Sequence, residues 1–210
     1  MNSPSVVSST AARLVTWSGG MLWTCAYGFA FITGLQTRSP AFPVPAILLN
    51  LTWEFAFAVL SPPKGRGTRA VYLSWFATDG LLWLQLFWLG PPQELAWIPR
   101  SIYPLGVLLG TGVAFALHRL LNRFLNAPHL QAYLTNVVTS GAFLWILLAR
   151  DDCAALTTPI AWLKFLGTSL ITLANLQHFW RRQSCPPLAI LFMVGVTILD
   201  ATYIALLYVR

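Results

Sequence analysis

The sequence predicts an all-α membrane protein, a single bundle of seven transmembrane helices with short loops, its N-terminus cytoplasmic and its C-terminus outside. Three observations predict it. The 210 residues are 57% hydrophobic and only 9% charged, where a soluble domain carries about 25% charged residues, and the mean hydropathy is +0.65. Apolar stretches recur seven times, each close to the roughly 20 residues a helix needs to cross a bilayer. Proline, glycine and basic clusters separate them. The length suits one compact domain over residues 1–210, with no soluble domain beside it.

Residues 1–13 are rich in Ser, Thr and Ala and read as a frayed arm. Arg13 precedes a span too long for a signal-peptide core, so the first helix, 14–35, is expected to be retained. Gln36-Thr37-Arg38-Ser39-Pro40 turns the chain. The second span is 42–60, with Pro43 and Pro45 in the first turn, where proline costs least. A basic loop with Pro62, Pro63, Lys64 and Arg66 ends it. The third span, 70–89, stops at Gly90-Pro91-Pro92, and Glu94 and Arg100 follow in a loop. The fourth, 101–121, gives way to Asn122, Arg123 and Asn126-Ala127-Pro128. The fifth, 130–149, meets the polar turn Arg150-Asp151-Asp152. The sixth, 159–180, is broken by Arg181-Arg182 and Pro186-Pro187, and the seventh is 188–209, before Arg210. Loops this short leave no room for an extramembrane domain, and no internal repeat is evident.

Arg13, Lys64, Arg66, Arg69, Arg119, Arg123, Arg181 and Arg182 fall on one side of this arrangement. Arg38, Arg100, Arg150 and Arg210 fall on the other, with Lys164 just inside the sixth span. By the positive-inside rule the first side is cytoplasmic. Basic residues spread this way are topology signals and not a nucleic-acid footprint, despite the net charge of +7. Cys25, Cys153 and Cys185 are odd in number and form no CxxC pair, which argues against a disulfide framework or a zinc site. Trp17, Trp88, Trp97 and Trp180 fit an interfacial belt. Trp53, Trp75, Trp83 and Trp145 lie deeper.

Only six residues are acidic. Glu94, Asp151 and Asp152 fall in loops, whereas Glu54, Asp79 and Asp200 fall inside spans, where a charge is costly and marks function by default. At 1.5 Å per residue, Glu54 is about 9 Å, Asp79 about 14 Å and Asp200 about 18 Å from the cytoplasmic ends of their helices. All three reach one layer if the second, third and seventh helices adjoin. Residues three and four apart share a helix face. Asn50, Trp53 and Phe57 therefore accompany Glu54, Trp75 and Trp83 accompany Asp79, and Tyr203 accompanies Asp200. Close carboxyls cannot all ionise cheaply, so at least one keeps its proton and can serve as a general acid. Aromatic faces attract cations. An acid that starts a carbocation, and rings that shelter it, are what cyclising a polyene requires.

Each of these residues also has a purely structural reading. A lone intramembrane acid can bond a neighbouring helix, and Asp79 suits that supporting role best. Deep tryptophans pack cores. Asn50, Gln131, Asn136 and Asn175 read as interhelical hydrogen-bond partners. His118, His129 and His178 lie near helix ends, and no metal ligand set is expected among them. Asn50-Leu51-Thr52 matches a glycosylation sequon that a span makes unreachable. Asp151-Asp152 is a lone acidic pair, not the doubled motif that diphosphate–magnesium chemistry uses.

Seven spans in so short a chain, Asn-x-x-Trp-Glu at Asn50, Trp53 and Glu54, an Asp in the third span (Asp79) and Asp-x-x-Tyr at Asp200 and Tyr203 resemble the membrane-integral terpene cyclases. These are known from fungal meroterpenoid and indole-diterpene pathways such as pyripyropene and paxilline. Bacterial relatives occur in drimentine-type indole sesquiterpenoid pathways. The likeness extends through Asn136, Arg150, Lys164, Gly167 and Thr168. It implies a non-redox cyclisation begun by protonation, without metal, cofactor or loss of diphosphate. The implied substrate is a farnesyl- or geranylgeranyl-type chain on an aromatic or indole head, starting from an alkene or epoxide. It also implies that Glu54 and Asp200 are the catalytic acids. We expect Asn50, Trp53, Phe57, Trp75, Asp79, Trp83 and Tyr203 to line the substrate site. The clipped loops favour a bacterial-type member, placed in the bacterial cell membrane. The expected partners are the bilayer and a hydrophobic prenylated small molecule, with no nucleic acid.

Three other classes compete. A proton-coupled transporter would also bury acids, but no inverted repeat is visible. A retinal photoreceptor needs a lysine deep in the last span, and the one lysine inside a span is Lys164 in the sixth. A non-catalytic assembly subunit would pair its acids with a partner's bases. Aromatic neighbours beside every buried acid favour the polyene substrate.

Overall fold

The structure is a computed structural model that describes residues 7–125, 128–150, 153–182 and 186–209. Side chains are described for 14–125, 129–150, 153–177, 179 and 186–209. Asp151, Asp152, Cys185 and Arg210 lie outside the described residues, as do the side chains of Arg13, His178, Trp180, Arg181 and Arg182.

Among the described residues the fold is entirely helical. The α-helices are α1 (Val7–Thr37), α2 (Val44–Glu54), α3 (Arg66–Leu89), α4 (Tyr103–Leu125), α5 (Pro128–Ala149), α6 (Thr158–Arg182) and α7 (Pro187–Val209). Each overlaps a span expected from the sequence; α1 begins well before its span, α3 begins and α4 ends about one turn beyond theirs, and α2 proper is shorter than its span. Four of them, α4 to α7, are long and apolar enough to cross a membrane. α1 and α3 have the length, but tryptophan, tyrosine, threonine and glycine dilute their hydropathy. α2 and its extension, Val44–Leu60, are apolar but shorter.

α2 is the hub. Pro43 precedes it in extended backbone and Pro45 sits in its first turn. Eight of its eleven residues are buried. It packs against α3, α4 and α5, and the other six helices close a ring around it in the order α1, α3, α4, α5, α7, α6 and back to α1. The close approach of α1 and α6 depends on two glycines. A Cβ at Gly19 would lie 2.8 Å from the Gly167 carbonyl oxygen, and small residues of this kind let membrane helices meet backbone to backbone.

α2 is not a straight α-helix to the end of its span. From Phe55 to Leu60 the backbone widens into a π-helix, and the Ser61 N–H reaches the Ala56 carbonyl at 2.9 Å. The sequence reading gave one regular helix here. A π turn is rare, costs regular bonding, and often sits at functional positions. This one begins directly after Glu54.

The far end of the bundle holds a second departure from expectation. Glu94 and Arg150, read as loop residues, form a buried bidentate ion pair, with Arg150 Nε donating to Glu94 Oε2 at 2.6 Å and Nη2 to Oε1 at 2.8 Å. Arg150 Nη1 also donates to the Pro40 carbonyl at 2.9 Å. One guanidinium thereby ties three chain segments together: the turn after α1, the loop after α3 and the end of α5. The planar fork of arginine makes such bidentate pairing favourable.

Candidate active site

A cavity of about 420 Å³ lies on the side of α2 that faces α1 and α6. Its mouth is where α1, α3 and α5 begin and α6 ends, marked by Thr16, Trp17, Thr68, His129 and Asn175. Deeper in, the walls are three indoles (Trp23, Trp53, Trp75) and three phenols (Tyr27, Tyr72, Tyr133), with Asn50, Glu54, Asn136 and Thr168 among them. The rings brace one another. Trp53 meets Tyr72 edge-on at 5.1 Å, Tyr72 stacks on Trp75 at 5.6 Å, and Trp23 lies 5.4 Å from Tyr27. Trp75 is further fixed by its indole N–H, which donates to the Gly20 carbonyl at 3.0 Å.

Glu54 is buried at 2% exposure and reaches the cavity from the last α-helical turn of α2. Tyr27 on α1 donates its hydroxyl to Glu54 Oε1 at 3.4 Å, Asn50 Nδ2 donates to the same Tyr27 oxygen at 3.1 Å, and Thr139 on α5 donates to Asn50 Oδ1 at 3.4 Å. Asp79 on α3 is fully buried and interacts with both Glu54 and Tyr27. Four helices thus contribute to one polar chain. As ionised groups, neither Asp79 oxygen nor Glu54 Oε2 has a hydrogen-bond donor. A single proton held between the two carboxyls would supply the bond that both lack. Two further cavity atoms are buried without a protein partner, the Trp53 indole N–H and Asn136 Oδ1. Buried polar atoms cost free energy unless paired, so these are natural points for the polar atoms of a ligand.

The second expected acid has different company. Asp200 on α7 is buried but does not line the cavity. Its Oδ1 accepts from Lys164 Nζ on α6, which also donates to Ser140 Oγ on α5 at 2.6 Å.

Of the residues expected from the sequence, then, Asn50, Trp53, Glu54 and Trp75 face one cavity, and Asp79 adjoins it through Glu54. The remaining placements differ from the expectation. Asp200 is set apart by its ion pair. Tyr203 packs on Phe143 at 5.2 Å within the core. Trp83 lies one turn further along α3 than Asp79, past the cavity, and bonds Thr111 of α4 at 3.0 Å. Phe57 falls in the π turn and reaches the site only through Trp53, at 4.9 Å. Three contributors, Tyr27, Trp23 and Tyr133, were not singled out from the sequence, and the pairing of Lys164 with Asp200 was not anticipated. Tyr27 and Tyr133 carried no signal among so many aromatics. Lys164 did carry one, since a lysine inside an apolar span calls for a buried acid.

The model of the Pyr4-like transmembrane terpene cyclases matches residues 2–210. This chain belongs to that family. Among Pyr4-family relatives, the terpene cyclase mfmH of Annulohypoxylon moriforme is 22% identical over 215 residues, spanning 97% of this chain and 88% of its own. Terpene cyclase cle7 of Aspergillus versicolor is 26% identical over 163 residues, or 75% of this chain and 67% of its own. No solved structure matches. Membership makes the chain a multi-pass membrane protein of the terpene cyclase kind. Both relatives are fungal, so the expectation of a bacterial membrane finds no support in them.

Proposed function

We propose that this Pyr4-like chain is a single-domain, proton-initiated cyclase of a prenylated aromatic or indole substrate, with Glu54 as the acid that touches the substrate. The observation that carries the reading is a buried carboxyl on the wall of an aromatic cavity. It interacts with Asp79, and among the described residues no cation is bonded to either group. The Glu54 O–H adds its proton to the terminal alkene carbon, leaving a tertiary cation, or to an epoxide oxygen, breaking the C–O bond at the tertiary carbon. Successive alkene π pairs then form C–C bonds. The last cation releases a proton to the carboxylate left behind. Product and substrate are isomers, and the acid is restored. The indole and phenol faces stabilise cations throughout, and general-acid catalysis of this kind contributes about 10²- to 10⁴-fold. The aromatic head group stays toward the mouth, with Asn136 Oδ1 and the Trp53 N–H as its nearest unpaired hydrogen-bonding atoms.

The test is conversion of farnesyl- and geranylgeranyl-indoles and phenols, with and without a terminal epoxide, by membranes that contain the chain. Cyclised product that vanishes in Glu54→Gln supports the reading, and full activity in that variant removes it.

All seven helices cross the membrane in this reading, α1 and α3 included, with the N-terminus and the cavity mouth cytoplasmic. The basic residues on that side support the orientation. A reporter fused after Arg210 should read as external, and a cytoplasmic signal would reverse the assignment.

A further inference from the structure

The bundle holds a second buried ionisable cluster that the cavity does not touch. The Lys164 ammonium bonds Asp200 and Ser140 and lies 5.6 Å from the centroid of the Trp23 ring and 5.9 Å from that of Phe143. Trp23 lines the cavity, whereas neither Lys164 nor Asp200 does. Its indole N–H donates to Thr168 Oγ1 at 3.1 Å, one turn along α6 from Lys164, and Asn136 Nδ2 donates to the same oxygen at 3.3 Å. Trp23, Thr168 and Asn136 therefore form a layer between the cavity and the ammonium.

We infer that Asp200 is a positioning residue, the counter-charge of Lys164, and that the pair keeps the cavity floor electrically neutral while a carbocation forms beside Trp23. The inference rests on the cyclase reading above. A lone ammonium in a medium of low dielectric repels a cation over many ångströms. A carboxylate bonded to it converts that single charge into a dipole whose field falls away sooner. Asp200 has no route to the substrate in this geometry. Its removal still bears on the reaction, because it would leave one positive charge under the ring that the cation needs.

Four proteins test this: the wild-type chain, Asp200→Asn, Lys164→Met and the double variant Lys164→Met/Asp200→Asn. Each is assayed per folded molecule after gel filtration and thermal melting in detergent. Asp200→Asn keeps the shape and leaves Lys164 without its counter-charge. A buried amine can shed its proton as a buried acid can take one up, so the assay is run at a pH low enough to keep the ammonium charged. We expect a fall in kcat of about tenfold or more at unchanged KM, with partly cyclised, early-deprotonated products accumulating. The double variant removes both charges at similar volume, which buried pairs tolerate. It should return to within about threefold of the wild type, with the wild-type product pattern. Lys164→Met alone leaves Asp200 able to take up a proton and become neutral, so it should keep most activity.

A folded double variant as inactive as Asp200→Asn overturns the inference, because Asp200 then acts as an acid in its own right. A fully active Asp200→Asn overturns it too. Where Asp200→Asn does not accumulate as folded protein, the double variant decides alone, with Lys164→Gln/Asp200→Asn as its substitute. Glu54→Gln separates the two claims. A wild-type chain that cyclises nothing defeats the cyclase reading. An active wild type and a dead Glu54→Gln, with a dead double variant, defeat only the role given to Asp200.

Discussion

Glu54 and Asp200 are both buried acids in the interior of one bundle, at 2% and 4% exposure, yet their surroundings are opposite. Glu54 has another carboxyl and a phenol beside it and an open cavity in front. Asp200 has an ammonium beside it and packed protein around it. The first arrangement sets two carboxyls side by side, with no cation bonded to either among the described residues. The second pairs its charge with an ammonium and does not line the cavity. Depth and residue type made the two acids look equivalent, and only the neighbours contributed by other helices tell them apart.

The contrast can be broken most directly at Glu54. Glu54→Gln keeps the shape and removes the transferable proton, so cyclisation should drop at least about 100-fold while thermal stability is held. A loss smaller than that of the isosteric change at Asp200 would exchange the roles of the two clusters. Asp79→Asn sharpens the picture. Its amide can donate to Glu54 and favour the carboxylate, so fewer molecules hold the proton although the donor itself is kept. We expect about a tenfold loss of rate, measured as product per folded molecule. A loss equal to that of Glu54→Gln would make Asp79 the donor. The smallest effect belongs to Tyr27→Phe, which removes one long hydrogen bond to Glu54 and leaves the ring. A fall of about two- to tenfold is expected, the size of one neutral hydrogen bond. No change would take Tyr27 out of the acid's setting.

The helices were legible in the sequence because lipid-facing and core-facing positions are both apolar, so composition alone marks each span. Their boundaries at proline and glycine were equally plain. The π turn after Glu54 was not, since Phe55-Ala56-Phe57-Ala58 suits a regular helix equally well, and the winding is decided by packing. Asn50, Trp53 and Glu54 could be grouped because one helix carries them at a spacing of three and four. Trp83 and Phe57 followed the same rule and missed the cavity, because helical spacing says which stripe a residue shares but not where the void ends. The partners of the acids lie 27 and 36 residues away, at Tyr27 and Lys164. Pairings across that distance depend on how the ring closes, which no local pattern encodes. The Glu94–Arg150 clamp was missed for the same reason: both residues sit in polar turns, and polar turns ordinarily face solvent.

The hub-and-ring layout separates two jobs that most pockets combine. Under the proposed function the proton donor rides on the axle, while much of the mould that shapes the folded chain is carried by the rim, on α1, α5 and α6. Reshaping the rim at Trp23, Tyr133, Ile171 or Asn175 alters the space offered to a substrate without shifting the helix that bears the acid. A lineage built this way can explore new ring skeletons by editing its walls, with the spark left where it was.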